Sequence, residues 1–107
     1  MFSIEAFSET YKYPVKLATL NEAGEVVTTT FTAVFQRLTD DQIQALIDER
    51  VSDKEIAARY LKGWEDVDAP FNDANLARLL NITGMKRAVA KAMFESFAVE
   101  DPADVKN

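Results

Sequence analysis

Apolar residues of this chain fall on alternate positions up to Phe35, and after Leu38 they return at every third or fourth position. In "YKYPVKLATL" the first rhythm places Tyr11, Tyr13, Val15, Leu17 and Thr19 on one side. In "EVVTTTFTAVF" it does the same for Val27, Thr29, Phe31, Ala33 and Phe35. Period two with many β-branched residues is the pattern of a half-buried strand. Between the two runs "NEAGE" supplies Asn21 and Gly24, which tolerate turn dihedrals, so a β-hairpin is expected over about 11–37. Pro14 has no N–H to give a ladder, which makes the first strand an edge or bulged strand. Met1–Thr10 shows no clear period and receives no assignment.

The second rhythm predicts helices. "TDDQ" has the form of a capping box, with Thr39 accepting from the backbone and Gln42 reaching back. Ile43, Leu46 and Ile47 then form one stripe of a helix over about 40–50. "SDKE" repeats the form, with Ser52 as cap and Glu55 closing the box of a helix over about 53–62. In that second helix Ile56, Ala57 and Tyr60 face inward, and Gly63 stands where a helix end favours a left-handed residue. Asn72 caps a third helix over about 73–81 that carries Leu76, Leu79 and Leu80. Thr83 caps a fourth, about 84–97. The tail "VEDPADVKN" is polar and broken by Pro102, so residues 98–107 are expected to fray. The fold class that follows is α+β, mainly α, in one domain: an N-terminal hairpin followed by four short helices.

Two stretches invite a functional reading. "WEDVDAPFNDAN" sets the single tryptophan among Glu65, Asp66 and Asp68. A calcium loop of the EF-hand type needs a central glycine and a terminal glutamate, and this segment has neither. Nothing marks the cleft between two carboxylates that glycoside hydrolysis requires. Trp64, Val67 and Phe71 therefore read as an aromatic pin between consecutive helices, each ring burying ~150–250 Å². The last helix carries an unusually wide apolar arc. Met85, Ala88, Val89 and Ala92 form one stripe, and Ala90, Met93, Phe94 and Phe97 extend it. Either this is a central helix buried by its neighbours, or Met85, Val89, Met93, Phe94 and Phe97 contribute to an exposed groove for an amphipathic helix.

Composition narrows the classes. The 107 residues include no cysteine and no histidine. Thiol nucleophiles, disulfides and cysteine-based zinc sites are excluded, and the commonest general base near neutral pH is missing. No apolar run approaches the ~18 residues of a membrane span, and the N-terminus lacks the basic region of a secretory signal. The net charge of −6 opposes binding to nucleic acid. A helix-turn-helix over 39–62 would present an acidic face to the groove, so it is set aside. The charge is uneven, since residues 39–69 hold nine acids and four bases, whereas 84–97 hold Lys86, Arg87 and Lys91 against Glu95. Such polarity is either two solvated faces or a steer for a partner.

The segment "GWEDVDAPFNDANLARLLNITGMKRAVAKAMFESF", residues 63–97, resembles the tail assembly chaperones of long-tailed bacteriophages and prophages. In that family a Gly-Trp pair leads into an acidic loop, a phenylalanine with a cap, a leucine helix and a helix rich in alanine and aromatics. "LTDDQIQALI" and the hairpin "YPVKLATLNEAGEVVTTTFTAVFQRL" suit the family's layout as well. The resemblance implies a non-enzymatic protein of viral morphogenesis with no cofactor. Its partners would be the tail tape measure protein, the tail tube protein and further copies of itself. It would act in the host bacterial cytoplasm and be absent from the mature virion. The alternative from the charge alone is an acidic DNA-mimic inhibitor of a DNA-processing enzyme.

Overall fold

A computed structural model of the chain describes residues 1–98. The expected frayed tail, apart from Ala98, lies outside the described residues. The hairpin is present as β1 (Thr10–Leu20) and β2 (Val26–Gln36), paired antiparallel from Thr10↔Gln36 to Leu20↔Val26. Its turn is held by one side chain. Asn21 Oδ1 accepts from the backbone N–H of both Ala23 and Glu25, each at 2.9 Å, and Gly24 takes the positive φ of 78° that closes the loop. Pro14 sits in register opposite Thr32 on a strand that is one edge of the sheet.

The architecture corrects the expected one. The sheet has three antiparallel strands in the order β1-β2-β3, and helices are interleaved with strands instead of all following the hairpin. After α1 (Asp40–Asp48) and α2 (Asp53–Tyr60) the chain returns to the sheet as β3 (Leu61–Glu65), and only then forms α3 (Asp73–Leu80) and α4 (Met85–Phe97). With 39% of the described residues in helix and 28% in strand the fold is α+β with a substantial sheet, not mainly α. The second helix was expected to run to about residue 62 with Gly63 as its terminator. It ends two residues earlier because Leu61 is extended (φ −83°, ψ 111°) and its side chain drops into the core opposite Phe35. Gly63 has no positive φ. Its bare Cα lies over Val34, where a Cβ would stand 3.4 Å from that side chain. A bulge between Val34 and Phe35 leaves Lys62 unpaired.

Helix ends follow local chemistry, with two departures. Thr39 Oγ1 accepts from Gln42 N at 3.2 Å and Thr39 N donates to Gln42 Oε1 at 2.9 Å, a reciprocal box. Asn72 Oδ1 accepts from Asn75 N at 2.8 Å. Ser52 Oγ accepts from Glu55 N, but the Glu55 carboxylate does not reach back; it pairs with Arg59 one turn on, at 3.2 Å. The fourth helix is capped by Gly84 at φ 83°, not by Thr83, and no side chain caps it. The tight Ile82–Met85 turn, with Met85 N donating to Ile82 O at 3.0 Å, leaves Thr83 one residue ahead of the cap position. α1 ends in a Schellman arrangement in which Val51 N reaches Leu46 O and Arg50 N reaches Ile47 O, with Arg50 left-handed at φ 51°.

All four helices contribute to a core against one face of the sheet. Val15, Phe31, Ala33 and Phe35 from the sheet meet Leu46, Ile56, Leu61, Leu80 and the inner side of α4. The opposite face, with Lys12, Pro14 and Lys16, is open to water, as antiparallel sheets allow. No helix of the described residues is long and apolar enough to cross a membrane.

Candidate interaction surfaces

The apolar arc of α4 resolves as the buried alternative. Met85, Val89 and Met93, expected on an exposed groove, are 5%, 0% and 1% exposed. The arc is wide because it meets several neighbours at once, with β1 and α2 packed along it and α3 touching it as well. Phe94 and Phe97 are half-buried and stand edge-to-face at 5.5 Å. Ser96 is hydrogen-bonded to the Tyr11 hydroxyl at 2.6 Å, tying the end of α4 to the sheet. Met85, Val89 and Met93 therefore belong to the core and leave little for a partner to touch, whereas Phe94 and Phe97 stay partly open.

Trp64, Val67 and Phe71 come together at one corner. The Trp64 ring meets Phe71 edge-on at 4.9 Å, and its Nε1 donates to Ala69 O at 2.8 Å. Asn75 Nδ2 donates to Pro70 O at 2.9 Å, and Val67 is half-buried. The loop thus fastens β3 to α3. The neighbouring acids diverge: Glu65 pairs with Lys12 at 2.6 Å, and Asp66, itself left-handed at φ 65°, accepts from Thr32 Oγ1 at 3.4 Å. Among the described residues no three acidic side chains converge on a point.

The surfaces left open are the N-terminal segment, which the sequence pattern had not marked, and the hairpin, whose unpaired strand edge the sequence already offered as a route to another chain. Met1, Phe2, Ile4 and Phe7 are all exposed, Phe2 and Ile4 by 79% and 87%. Phe2 and Phe7 touch at 5.6 Å. Arg37 fastens the segment to the sheet by lying over both Phe7 and Tyr11 and by donating from Nε to Ser8 O at 2.8 Å. The only signal in the sequence was four large apolar residues among the first seven. The outer half of the hairpin is a second open region, since every residue from Ala18 to Thr30 is exposed. Leu20 and Val26 face each other there, 69% and 71% exposed. Beside them Thr83 lines a shallow hollow of about 400 Å³.

β3 reaches no further than Thr32, so no strand among the described residues lies beside the outer edge of Val26–Phe31. Those six residues contain no charge, proline or glycine, whereas β1, the other long edge, carries Pro14, Lys12 and Lys16. Charges and prolines protect an edge from pairing with another chain; a bare β-branched edge invites it.

Compared with protein-family models, curated proteins and solved structures, the chain matches none.

Proposed function

We propose that the chain is a non-enzymatic tail assembly chaperone of a long-tailed bacteriophage or prophage. It binds the tape measure protein, keeps it dispersed while the tail tube is built around it, and contacts the tube protein as well. It works in the host bacterial cytoplasm and does not remain in the finished virion. One observation supports this reading most. Beside a core in which no buried polar side chain of the described residues is unpaired, the protein keeps Phe2, Ile4, Leu20 and Val26 largely in water. These residues stand in two groups, Phe2 against Phe7 and Leu20 opposite Val26, and each group offers apolar area for covering another polypeptide. A net charge of −6 keeps the resulting complex dispersed. The unprotected β2 edge provides for self-association, and several linked copies strengthen many weak contacts along an extended client.

The test is co-expression with a tape measure protein from the genome that encodes the chain. The native chain should hold that protein in the soluble fraction and co-purify with it. A variant with Phe2, Ile4, Leu20 and Val26 replaced by serine should fold, yet leave the tape measure protein in the pellet. A tape measure protein that is equally soluble without the chain, or a quadruple variant that protects as well as the native protein, contradicts the reading.

A further inference from the structure

Along the bare stretch of β2 the unpaired backbone groups can be named. Bonds from β2 to β1 fall on alternate residues, and both ends of that alternation are fixed. Asn21 N donates to Glu25 O at 2.9 Å beside the turn, and Arg37 N donates to Glu9 O at 2.8 Å at the far end. The register between them is unbroken, so Val27, Thr29 and Phe31 bond to β1. Val26, Thr28 and Thr30 turn their N–H and C=O groups to the outer edge, beyond the end of β3. No described segment of the same chain fills that place. β3 stops at Glu65, and Asp66 after it is left-handed at φ 65°. Arg37 holds Ser8, and with it the N-terminal segment, at the opposite end of the hairpin.

We infer that a second copy of the chain fills it, β2 against β2, antiparallel about a two-fold axis at Thr28. In that register every outward residue of each copy gives and receives a backbone bond, because Thr28 meets Thr28 and Val26 meets Thr30. On the core side of the sheet Val27 meets Thr29. All of these neighbours are uncharged, and threonine and β-branched residues suit adjoining strands. The edge thus matches itself, which a foreign strand has no reason to do. The acids flanking the seam are engaged within their own chain, Glu25 by Asn21 Nδ2 at 3.2 Å and Glu65 by Lys12 at 2.6 Å. Assembly stops at two copies because the other edge is guarded. On β1 the outward positions include Lys12, Pro14 and Lys16, and Pro14 has no N–H to offer. A pair joined by the same patch on both copies closes, whereas two bare edges would propagate. The pairing specifies the self-association in the chaperone reading, yet it rests on the strand edge and holds whatever the client is.

Sedimentation equilibrium of the full chain, from micromolar to millimolar concentration, should show the mass rising from 12.0 kDa toward twice that value and no further. So short a seam makes the pair reversible. Over the same range amide exchange at Val26, Thr28 and Thr30 should slow by at least about tenfold, while Val27, Thr29 and Phe31, already bonded to β1, change little. In a mixture of ¹³C-labelled and unlabelled chains, Val27 Hα of one copy should show a cross-peak to Thr29 Hα of the other. Thr28→Pro removes no bond within the chain and should give a folded monomer, while Thr28→Val should still pair. A mass that stays at one chain, a mass that grows past two, slowed exchange centred elsewhere, or a folded Thr28→Pro that still pairs would overturn the inference. Exchange and the cross-peak on the native chain decide the matter even if Thr28→Pro folds poorly. A native pair that ignores the tape measure protein sinks the chaperone reading alone, and a single-chain protein that still holds it sinks the pairing alone.

Discussion

Replacing Phe2 and Ile4 by serine separates surface from scaffold, and its cost can be worked out from burial. The two side chains keep 79% and 87% of their surface in water, so only about a fifth and an eighth are covered. Full burial of a large apolar side chain contributes ~1.5–3 kcal/mol. Scaled by those fractions, each replacement should destabilise the chain by only ~0.2–0.6 kcal/mol. The pair together costs about 1 kcal/mol at most, a fall in Tm of no more than about 4–8 °C. If a client covers both side chains, even half of the full-burial value for the two is worth about 2 kcal/mol, or roughly thirtyfold in affinity. Met93, 1% exposed, is the control. Met93→Ser empties a core position and should cost ~2–5 kcal/mol, a large share of the ~5–15 kcal/mol that holds a small domain together. Urea denaturation followed by Trp64 fluorescence measures the first quantity, and titration with soluble tape measure fragments measures the second. The reasoning is refuted if the surface pair costs more than about 2 kcal/mol in folding, or if affinity is unchanged while the fold is intact.

Three further outcomes follow from particular contacts. Thr39→Ala and Ser52→Ala should each cost ~0.5–2 kcal/mol by denaturation, whereas Thr83→Ala should fall within about 0.5 kcal/mol of native, because only the first two accept from a helix N–H. Arg50→Gly should raise stability by ~0.5–1 kcal/mol, since glycine occupies φ 51° without the Cβ clash while its looser unfolded chain offsets part of the gain; a fall in midpoint would exclude that account. Trp64→Phe removes the donor to Ala69 O and should cost ~1–2 kcal/mol, with hydrogen exchange rising first at the β3–α3 corner; uniform exchange across the chain would contradict the pin.

What could be read from the sequence is what neighbours along the chain decide. The hairpin was legible because period two runs through both strands and Asn21 and Gly24 are the residues its turn needs. Three helix starts were legible because Thr39, Ser52 and Asn72 each meet an N–H three residues away. β3 was not legible. Five residues with Leu61 and Trp64 inward and a glycine between them look like the frayed end of a helix until a second strand lies alongside, and that strand is some thirty residues earlier. The burial of Met85, Val89 and Met93 was open for the same kind of reason. A wide apolar arc states how much surface must be covered, but not whether the chain itself or another molecule covers it. The candidate sites fared accordingly. The hollow that joins Leu20 and Val26 to Thr83 brings together residues far apart along the chain, and the exposed Phe2 and Ile4 follow no period at all. Local hydrogen bonds and side-chain rhythm act over three or four residues and survive in a linear reading. Strand partnership, burial and the sign of a surface depend on residues brought together from afar, and only the packed chain settles them.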